Sequence, residues 1–203
     1  MPWPKDHKSQ TRARIVEAAA AAFRAEGVGG VGVDEIMAEA GLTRGGFYAH
    51  FSSKDELLGQ ALERASFQTL ETLSRELESV PPERRLDAVI DAYLSPRHAA
   101  HADRGCPLAA LGAEIARGDG KSRRVLARGV KRRLEWLREL APRRRRGSAQ
   151  DEQAVGALAG MVGGLILARA VGGEESDRIL AACRSFLHHA LRGAPPPSRQ
   201  LNR

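Results

Sequence analysis

The stretch VDEIMAEAGLTRGGFYAHF, residues 33–51, contains a short helical pattern, a turn and a second short helical pattern. The first has an apolar face at helical spacing, formed by Val33, Ile36, Met37 and Ala40. Gly41 ends this helix, and Thr43 is a natural N-cap for the next one. Phe47 and Phe51 are spaced so that both face inward. The pattern predicts a helix-turn-helix.

The second helix of such a motif enters the major groove of DNA. Its outer side presents Thr43, Arg44, Gly45, Gly46, Tyr48 and His50. Hydroxyl groups, an imidazole and a guanidinium suit phosphates and base edges. A glycine inside a helix costs about 1 kcal/mol relative to alanine, which a close approach of the backbone to DNA would explain. We therefore expect these residues to form a DNA-binding face.

The residues after this motif open another helix. Ser53 and Glu56 have the spacing of a capping box, which places Lys54 in the exposed first turn. An exposed lysine at this position extends the expected DNA-binding face.

The remaining chain is also helical in pattern, so the sequence predicts an all-α fold. Only 4% of its residues are aromatic, and Ala and Leu supply most of the apolar content, which favours helix over strand. We expect helices at about 9–26, 33–40, 43–51, 54–79, 83–95, 107–117, 119–140, 149–171 and 175–192. The expected domains are a DNA-binding head over 1–53, a larger helical body over 54–193 and a disordered tail over 194–203.

Composition excludes several classes of protein. No run approaches the ~18–20 apolar residues of a membrane span, and the first residues lack the apolar region of a secretory signal. No GxSxG, Walker A, HExxH or GxGxxG pattern occurs, and we expect no cofactor and no enzymatic activity. The sequence predicts a cytoplasmic binding protein.

Positive charge is concentrated in the middle of the chain. The net charge is +7, and residues 117–146 carry thirteen Lys and Arg against three Asp and Glu. Such a block is usually a solvated face, although a non-specific DNA-binding protein that uses it stays an alternative.

Residues 9–55 resemble the N-terminal DNA-binding region of the TetR family of bacterial transcriptional regulators. The resemblance rests on TRARIVEAAAAAFRAEG, VDEIMAEAGLTRGGFYAHF and SSKDELL. It implies a three-helix head on a larger helical body that binds an effector and forms a homodimer, with a palindromic DNA operator as partner. By position, Thr43, Arg44, Gly45, Tyr48 and His50 match the DNA-facing segment, and Lys54, Thr11 and Arg12 match phosphate or backbone contacts.

The last two expected helices supply candidates for the dimer interface. The penultimate helix carries Gly156, Gly160, Gly163 and Gly164, whose spacing allows close helix approach. The last helix offers a matching apolar face that includes Cys183, Phe186 and Leu187. Packing within one chain is the alternative interpretation of both faces.

The body also contains candidates for an effector pocket. They are the large, adaptable or reactive side chains of Phe67, Leu70, Tyr93, Cys106, Leu111, Trp136 and Met161. Plain core packing is the alternative for each of them. We expect a small, mostly apolar effector, and no metal site at His98, His101 and Asp103 because too few ligands are present.

Cys106 supports a second interpretation of regulation. It stands before Pro107, and a thiol at a helix N-terminus has a lowered pKa, to which Arg104 would contribute. The segment GCPLAALGAE, residues 105–114, resembles one in some TetR-family members that respond to flavonoid-like ligands or reactive electrophiles. A thiol-based redox sensor acting through Cys106 is therefore an alternative to reversible effector binding.

Overall fold

A computed structural model describes residues 5–118, 120–140 and 148–192. Its regular structure is entirely helical within those ranges, which confirms the all-α prediction. The head contains α1 (Lys5–Glu26), α2 (Val33–Glu39) and a 3-10 helix (Arg44–Ala49). The body contains α3 (Lys54–Arg75), α4 (Arg85–Tyr93), α5 (Pro96–Ala100), α6 (Pro107–Arg117), α7 (Gly120–Leu140), α8 (Ser148–Val171) and α9 (Gly173–Arg192).

Two glycines end the first two helices as the sequence predicts. Gly27 and Gly41 have φ values of 82° and 66°, in the left-handed region that side chains with a Cβ rarely adopt. The third element differs from the expected helix, because it is a six-residue 3-10 helix. Gly45 and Gly46 follow its first residue, and their poor helix propensity gives an α-helix no advantage in so short a segment.

The body differs from the predicted helices at two places. The helix expected to reach residue 79 ends at Arg75 and continues as turns. The break expected at Ser95-Pro96 instead opens α5, because Ser95 caps it by accepting a hydrogen bond from His98 N at 3.2 Å. Pro96 occupies the first helical position, where a missing N–H costs nothing. Further 3-10 turns cover Pro82–Arg84 and Ala102–Arg104.

Two hydrophobic clusters form the core. The first joins the head to the body, because it combines α1, α2 and Phe47 with residues of α3, α6 and α7. The second lies within the body, among α3, α4, α7, α8 and α9. This first cluster extends across the expected domain boundary at residue 53, because it includes Leu57 and Leu111 as well as Phe47.

Helix α8 is long and apolar enough to span a membrane by length and composition, within the part of the chain that the structure describes. A buried helix of a water-soluble core passes the same test, and 39% of the relevant window is buried inside the protein. The buried side of α8 packs on α9, and Gly160 and Gly164 bring the two helices close together.

The basic block does not form one solvated face. Arg133 is buried, Arg132 lies 4.6 Å from the Phe67 ring centroid, and Arg138 pairs with Asp151 at 2.6 Å. Lys121, Arg123, Arg124, Arg128 and Lys131 are exposed on α7. The arginines at 143–146 and the expected tail over 194–203 lie outside the described residues.

Candidate nucleic-acid interface

The 3-10 helix Arg44–Ala49 is held against the head by two aromatic side chains. Phe47 and Phe51 are both 1% exposed, and their ring centroids are 5.7 Å apart in a stacked arrangement. Burial of a phenylalanine side chain contributes about 1.5–3 kcal/mol. These two anchors give the short segment an orientation that its own hydrogen bonds could not maintain.

The opposite side of the segment faces solvent. Thr43, Arg44 and Gly45 are exposed, and Tyr48 is 71% exposed although its ring edge contacts Phe47. Arg44 pairs with Asp34 at 2.8 Å, an exposed ion pair that costs at most about 1 kcal/mol to exchange for another partner. Open space surrounds Gly45, whereas Gly46 lies against Met37. The predicted DNA-facing side chains are therefore brought together on one surface.

Arg12 and Glu56 connect this surface to α1 and α3. The Arg12 guanidinium donates to His50 O and, at 2.8 Å, to Glu56, and it lies 4.0 Å from the Phe51 ring centroid. Glu56 also accepts from Ser52 N and Ser52 Oγ, and these bonds, with Arg12, lower its pKa to about 2. Burial and the nearby Lys8 and Arg12 charges lower the pKa of His50. Arg12 therefore stabilises the DNA-facing surface by joining α1 to His50, Phe51 and Glu56.

The structure places two other predicted contacts less openly than the sequence suggests. Thr11 is buried, with its hydroxyl 3.4 Å from His7 Nδ1. Lys54 was predicted to be exposed, but it is half-buried. Its ammonium donates to Val28 O and Val31 O at 2.6 Å each. One ammonium hydrogen is left for a phosphate. Ser53 caps α3 as predicted, whereas Glu56 reaches Ser52 instead of completing the capping box with Ser53.

The head is fastened to the body at two points that sequence reasoning missed. Glu114 of α6 accepts hydrogen bonds from Val28 N and Gly29 N at 3.0 Å each. Arg24 of α1 is 4% exposed and donates to the Gly105 carbonyl at 3.0 Å. The sequence around Arg24 gave no signal for this contact, because the acceptor is a backbone oxygen far along the chain.

The glycine-rich helix separates the predicted interface residues into two sets. A Cβ on Gly160 would lie 2.8 Å from Leu187, and one on Gly164 would lie 2.9 Å from Cys183, so these four residues pack within the chain. Nothing lies within 4 Å of such an atom on Gly156 or Gly163. The outer face of α8 and α9 is defined here by Val155, Gly156, Gly163, Ile166, Leu167, Val171 and Phe186.

The structure divides the predicted pocket residues between the two hydrophobic clusters and the protein surface. Tyr93, Cys106 and Met161 are buried in the body cluster with Trp136 packed against it, whereas Leu111 belongs to the cluster shared with the head. Leu70 is half-buried, and Phe67 is on the surface against Arg132. A half-open cavity of about 410 Å³ lies elsewhere and is lined by Thr69, Thr72, Leu73, Glu76, Ala92, Ser95, Arg97, His98, His101 and Arg104.

Cys106 is fully buried at the start of α6, within the hydrophobic cluster of the body. Its N–H donates to His98 Nε2 at 3.0 Å, while His98 Nδ1 donates to Tyr93 O at 2.7 Å. Burial lowers the pKa of His98 to about 4, which keeps the ring neutral with its lone pair on Nε2. Arg104 does not approach the thiol as expected, because its exposed side chain pairs with Asp103. Within the described residues, no cluster of three or more His, Cys, Asp or Glu could hold a metal ion.

Comparison with known proteins gives matches over the head and the body. A family model described as bacterial regulatory proteins, tetR family, matches residues 15–61. A second, described as the tetracyclin repressor-like C-terminal domain, matches residues 82–172.

Individual relatives agree with these matches. The HTH-type transcriptional regulator TtgR of Pseudomonas putida is 43% identical over 37% of this chain and 35% of its own length. The HTH-type transcriptional repressor DhaR of Mycobacterium sp. is 36% identical over 43% of this chain and 45% of its own length. The chain thus matches less than half the length of either curated relative.

Structural similarity extends over nearly the whole chain. A TetR transcriptional regulator from Chloroflexus aurantiacus has a TM-score of 0.78 and 25% identity, and the match covers 92% of this chain and 96% of that one. The helix-turn-helix surface, the helical body and these matches together lead to one conclusion. The chain belongs to the TetR family of bacterial transcriptional regulators, which are DNA-binding proteins rather than enzymes.

Proposed function

We propose that this regulator is a repressor that binds a palindromic DNA operator as a homodimer and leaves it when a small effector binds the body. The proposal rests on the exposed surface at the 3-10 helix Arg44–Ala49 and its N-cap. This surface is formed by Thr43, Arg44, Gly45 and Tyr48. Thr43 and Tyr48 offer hydroxyl groups and Arg44 offers a cation, all suited to contacts in the major groove. Phe47 and Phe51 are buried behind this surface. The related DhaR is named a repressor, which supports the sign of regulation.

We expect a dimer because one short helix contacts too few bases to select a specific DNA site. A single 3-10 helix contacts too few base pairs for specificity, whereas two of them about 34–36 Å apart contact successive major grooves. The outer face of α8 and α9 would supply the surface for a partner, because it exposes several large apolar side chains, including Phe186, which is 71% exposed. A second copy covering this face would form a four-helix interface.

Effector control requires contacts that connect the body to the head. Glu114 and Arg24 provide them, because each joins a body segment to the head near α1. An effector that prefers a body conformation with a different head spacing reduces operator affinity, and DNA must then reduce effector affinity by the same factor. We place the protein in the cytoplasm, where its operator lies.

In vitro selection from random duplexes tests the DNA-binding proposal. The wild-type protein should enrich a palindrome, and Tyr48→Ala should weaken binding to any sequence because its hydroxyl contacts phosphate. Arg44→Ala should cost roughly 1–3 kcal/mol and relax base preference at one position in each half-site. Wild-type affinity in both variants would overturn this assignment of the interface, and Arg123→Ala on exposed α7 is the matched control.

The thiol-sensor alternative makes a different prediction. Cys106 is fully buried, so an electrophile reaches its sulfur only when the start of α6 opens. If Cys106 is the trigger, an alkylating agent releases DNA from the wild-type protein but not from Cys106→Ser. Equal release from both proteins would remove Cys106 from the mechanism.

A further inference from the structure

The body contains a buried arginine, Arg133, to which the described residues supply neither a hydrogen bond nor an ion pair. Arg133 is 3% exposed, and among the described residues Nε, Nη1 and Nη2 have no hydrogen-bond partner. It lies on the buried stripe of α7 between Gly129 and Leu137, one helical turn from each. An isolated buried charge is among the most costly features that a fold can contain.

The same fold satisfies another buried arginine completely. Arg24 is 4% exposed, and its three nitrogens donate to Ala20 O at 2.7 Å, Gly105 O at 3.0 Å and Gln68 Oε1 at 2.8 Å. The contrast indicates that Arg133 is not a structural arginine of the same kind. Its donors are available to a group that is not part of the chain.

Two further buried donors of the body lack a nitrogen or oxygen partner among the described residues. Tyr93 Oη is buried without a nitrogen or oxygen partner, and Arg169 Nη1 is buried without any partner among the described residues. The other nitrogens of Arg169 donate to His98 O at 2.7 Å and Ala99 O at 3.2 Å. The Tyr93 and His98 rings meet edge to face with centroids 4.6 Å apart, Arg169 binds the His98 carbonyl, and the charge of Arg133 acts on both rings.

Among the described residues these donors have no nitrogen or oxygen acceptor, and Tyr93 Oη is hydrogen-bonded only to the Cys106 thiol. Burial raises the pKa of Tyr93, followed by the effect of the neighbouring Cys106 thiol, so its hydroxyl keeps its proton. Both guanidiniums can only donate. An anion with at least two oxygens would satisfy these donors, since a carboxylate pairs with a guanidinium through two parallel hydrogen bonds and still has lone pairs for another donor.

The surroundings decide what the rest of the ligand must be. The cluster that contains Tyr93 is apolar, and it includes Leu137, Leu158 and Met161. A ligand that reaches Arg133 would contact these side chains, so the part of it outside the anion must be apolar, such as a hydrocarbon chain or ring.

We propose that the body binds an apolar molecule with one carboxylate, which pairs with Arg133 and accepts further hydrogen bonds from Arg169 and Tyr93. This inference names the chemical class of the effector and rests on the proposal that the body binds one. The sequence predicts a mostly apolar effector, and this inference adds that the effector carries one negative charge. The carboxylate would lie near His98 and Cys106, and Arg24 of the head donates to the carbonyl of Gly105, the residue before Cys106.

Thermal unfolding of the full-length protein, with straight-chain carboxylates from butanoate to dodecanoate and the primary amide of each, tests the proposal. At a hundredfold excess over Kd, a carboxylate that fits should raise the Tm by about 5–10 °C. The matching amide, which lacks the charge, should have little effect. Arg133→Met should lose the response, and Lys131→Met, which removes an exposed charge two residues away, should retain it.

A second measurement needs no ligand. Without added carboxylate, Arg133→Met should raise the Tm, because methionine replaces an unpaired buried charge with a side chain of similar length. A lower Tm in Arg133→Met, equal effects of carboxylate and amide, or a response to chloride and phosphate alone would each overturn the proposal. Operator binding is measured in the same samples without carboxylate, so a regulator that binds DNA but ignores carboxylates contradicts only this inference.

Discussion

At the scale of single residues, the interface side chains were easier to predict than their partners. The positions of Phe47, Phe51, Arg44 and Tyr48 follow from helical spacing, and the structure places them as expected. Lys54 was expected in the open, but its ammonium binds two carbonyls of the preceding loop. Backbone oxygens carry no signal in a sequence, and this is why hydrogen bonds to them escape prediction.

Arg133 illustrates the same limit for a buried charge. Its spacing from Leu126 and Leu137 puts it on the inward stripe of α7, and this periodicity was the available signal. The surrounding Lys and Arg residues instead favoured a solvated face. Charge composition averages over a helix, whereas burial depends on which side each residue occupies.

His98 gives a prediction about pH. Burial lowers its pKa from 6.5 to about 4, so the unfolded chain binds a proton at a higher pH than the folded protein does. Stability is therefore constant above pH 6.5 and falls as the pH decreases towards 4. Between pH 7.5 and pH 5 the loss should be on the order of 2 kcal/mol.

Urea unfolding at the two pH values measures this loss. His98→Asn, which cannot take up the proton, should show a smaller decrease in the free energy of unfolding than the wild type does. An equal decrease in the two proteins would show that His98 is not the group responsible.

At the scale of helices, the sequence predicted the ends of the first two helices better than the type and number of the short helices. Gly27 and Gly41 end helices as expected because positive φ values favour glycine. The recognition element is a 3-10 helix, and α5 occupies an expected break. Short segments differ from prediction because one cap or one turn decides between alternatives of similar energy.

The link between α6 and the head can be tested through Glu114. Its carboxylate holds Val28 N and Gly29 N, and Glu114→Gln can accept well from only one of them. We expect a loss of about 1 kcal/mol in the free energy of unfolding. Hydrogen exchange should also become faster at these two amides.

Glu83→Gln is the control, because this glutamate is exposed and far along the chain from the link. It should leave both measurements unchanged. Unchanged exchange at Val28 and Gly29 in Glu114→Gln would contradict the role of Glu114.

At the scale of the whole molecule, the sequence predicted that α8 and α9 pack closely, but it did not show which side of α8 faces α9 and which faces outward. All four glycines of α8 were candidates for a subunit interface, whereas Gly160 and Gly164 are occupied by the α8–α9 contact. Gly156 and Gly163 remain on the outer face. A one-dimensional pattern shows that a helix has small residues, but only the position of α9 shows which of them are already covered.

Phe186 tests the proposed subunit interface. Phe186→Glu places a charge in the centre of an apolar contact, and the protein should become monomeric in sedimentation analysis while its helical content is retained. Phe67→Glu is the matched control, because Phe67 is an exposed phenylalanine on α3, away from this face. A Phe186→Glu dimer as stable as the wild type would place the interface elsewhere.

The most direct test is fluorescence anisotropy on the selected palindrome with altered spacing between its half-sites. Two recognition segments fixed by one dimer need half-sites on the same side of the duplex. Inserting about five base pairs, half a helical turn, should therefore reduce the affinity to that for random DNA. Affinity that is unchanged by this insertion would contradict a dimer that binds two half-sites through the Arg44–Ala49 segments.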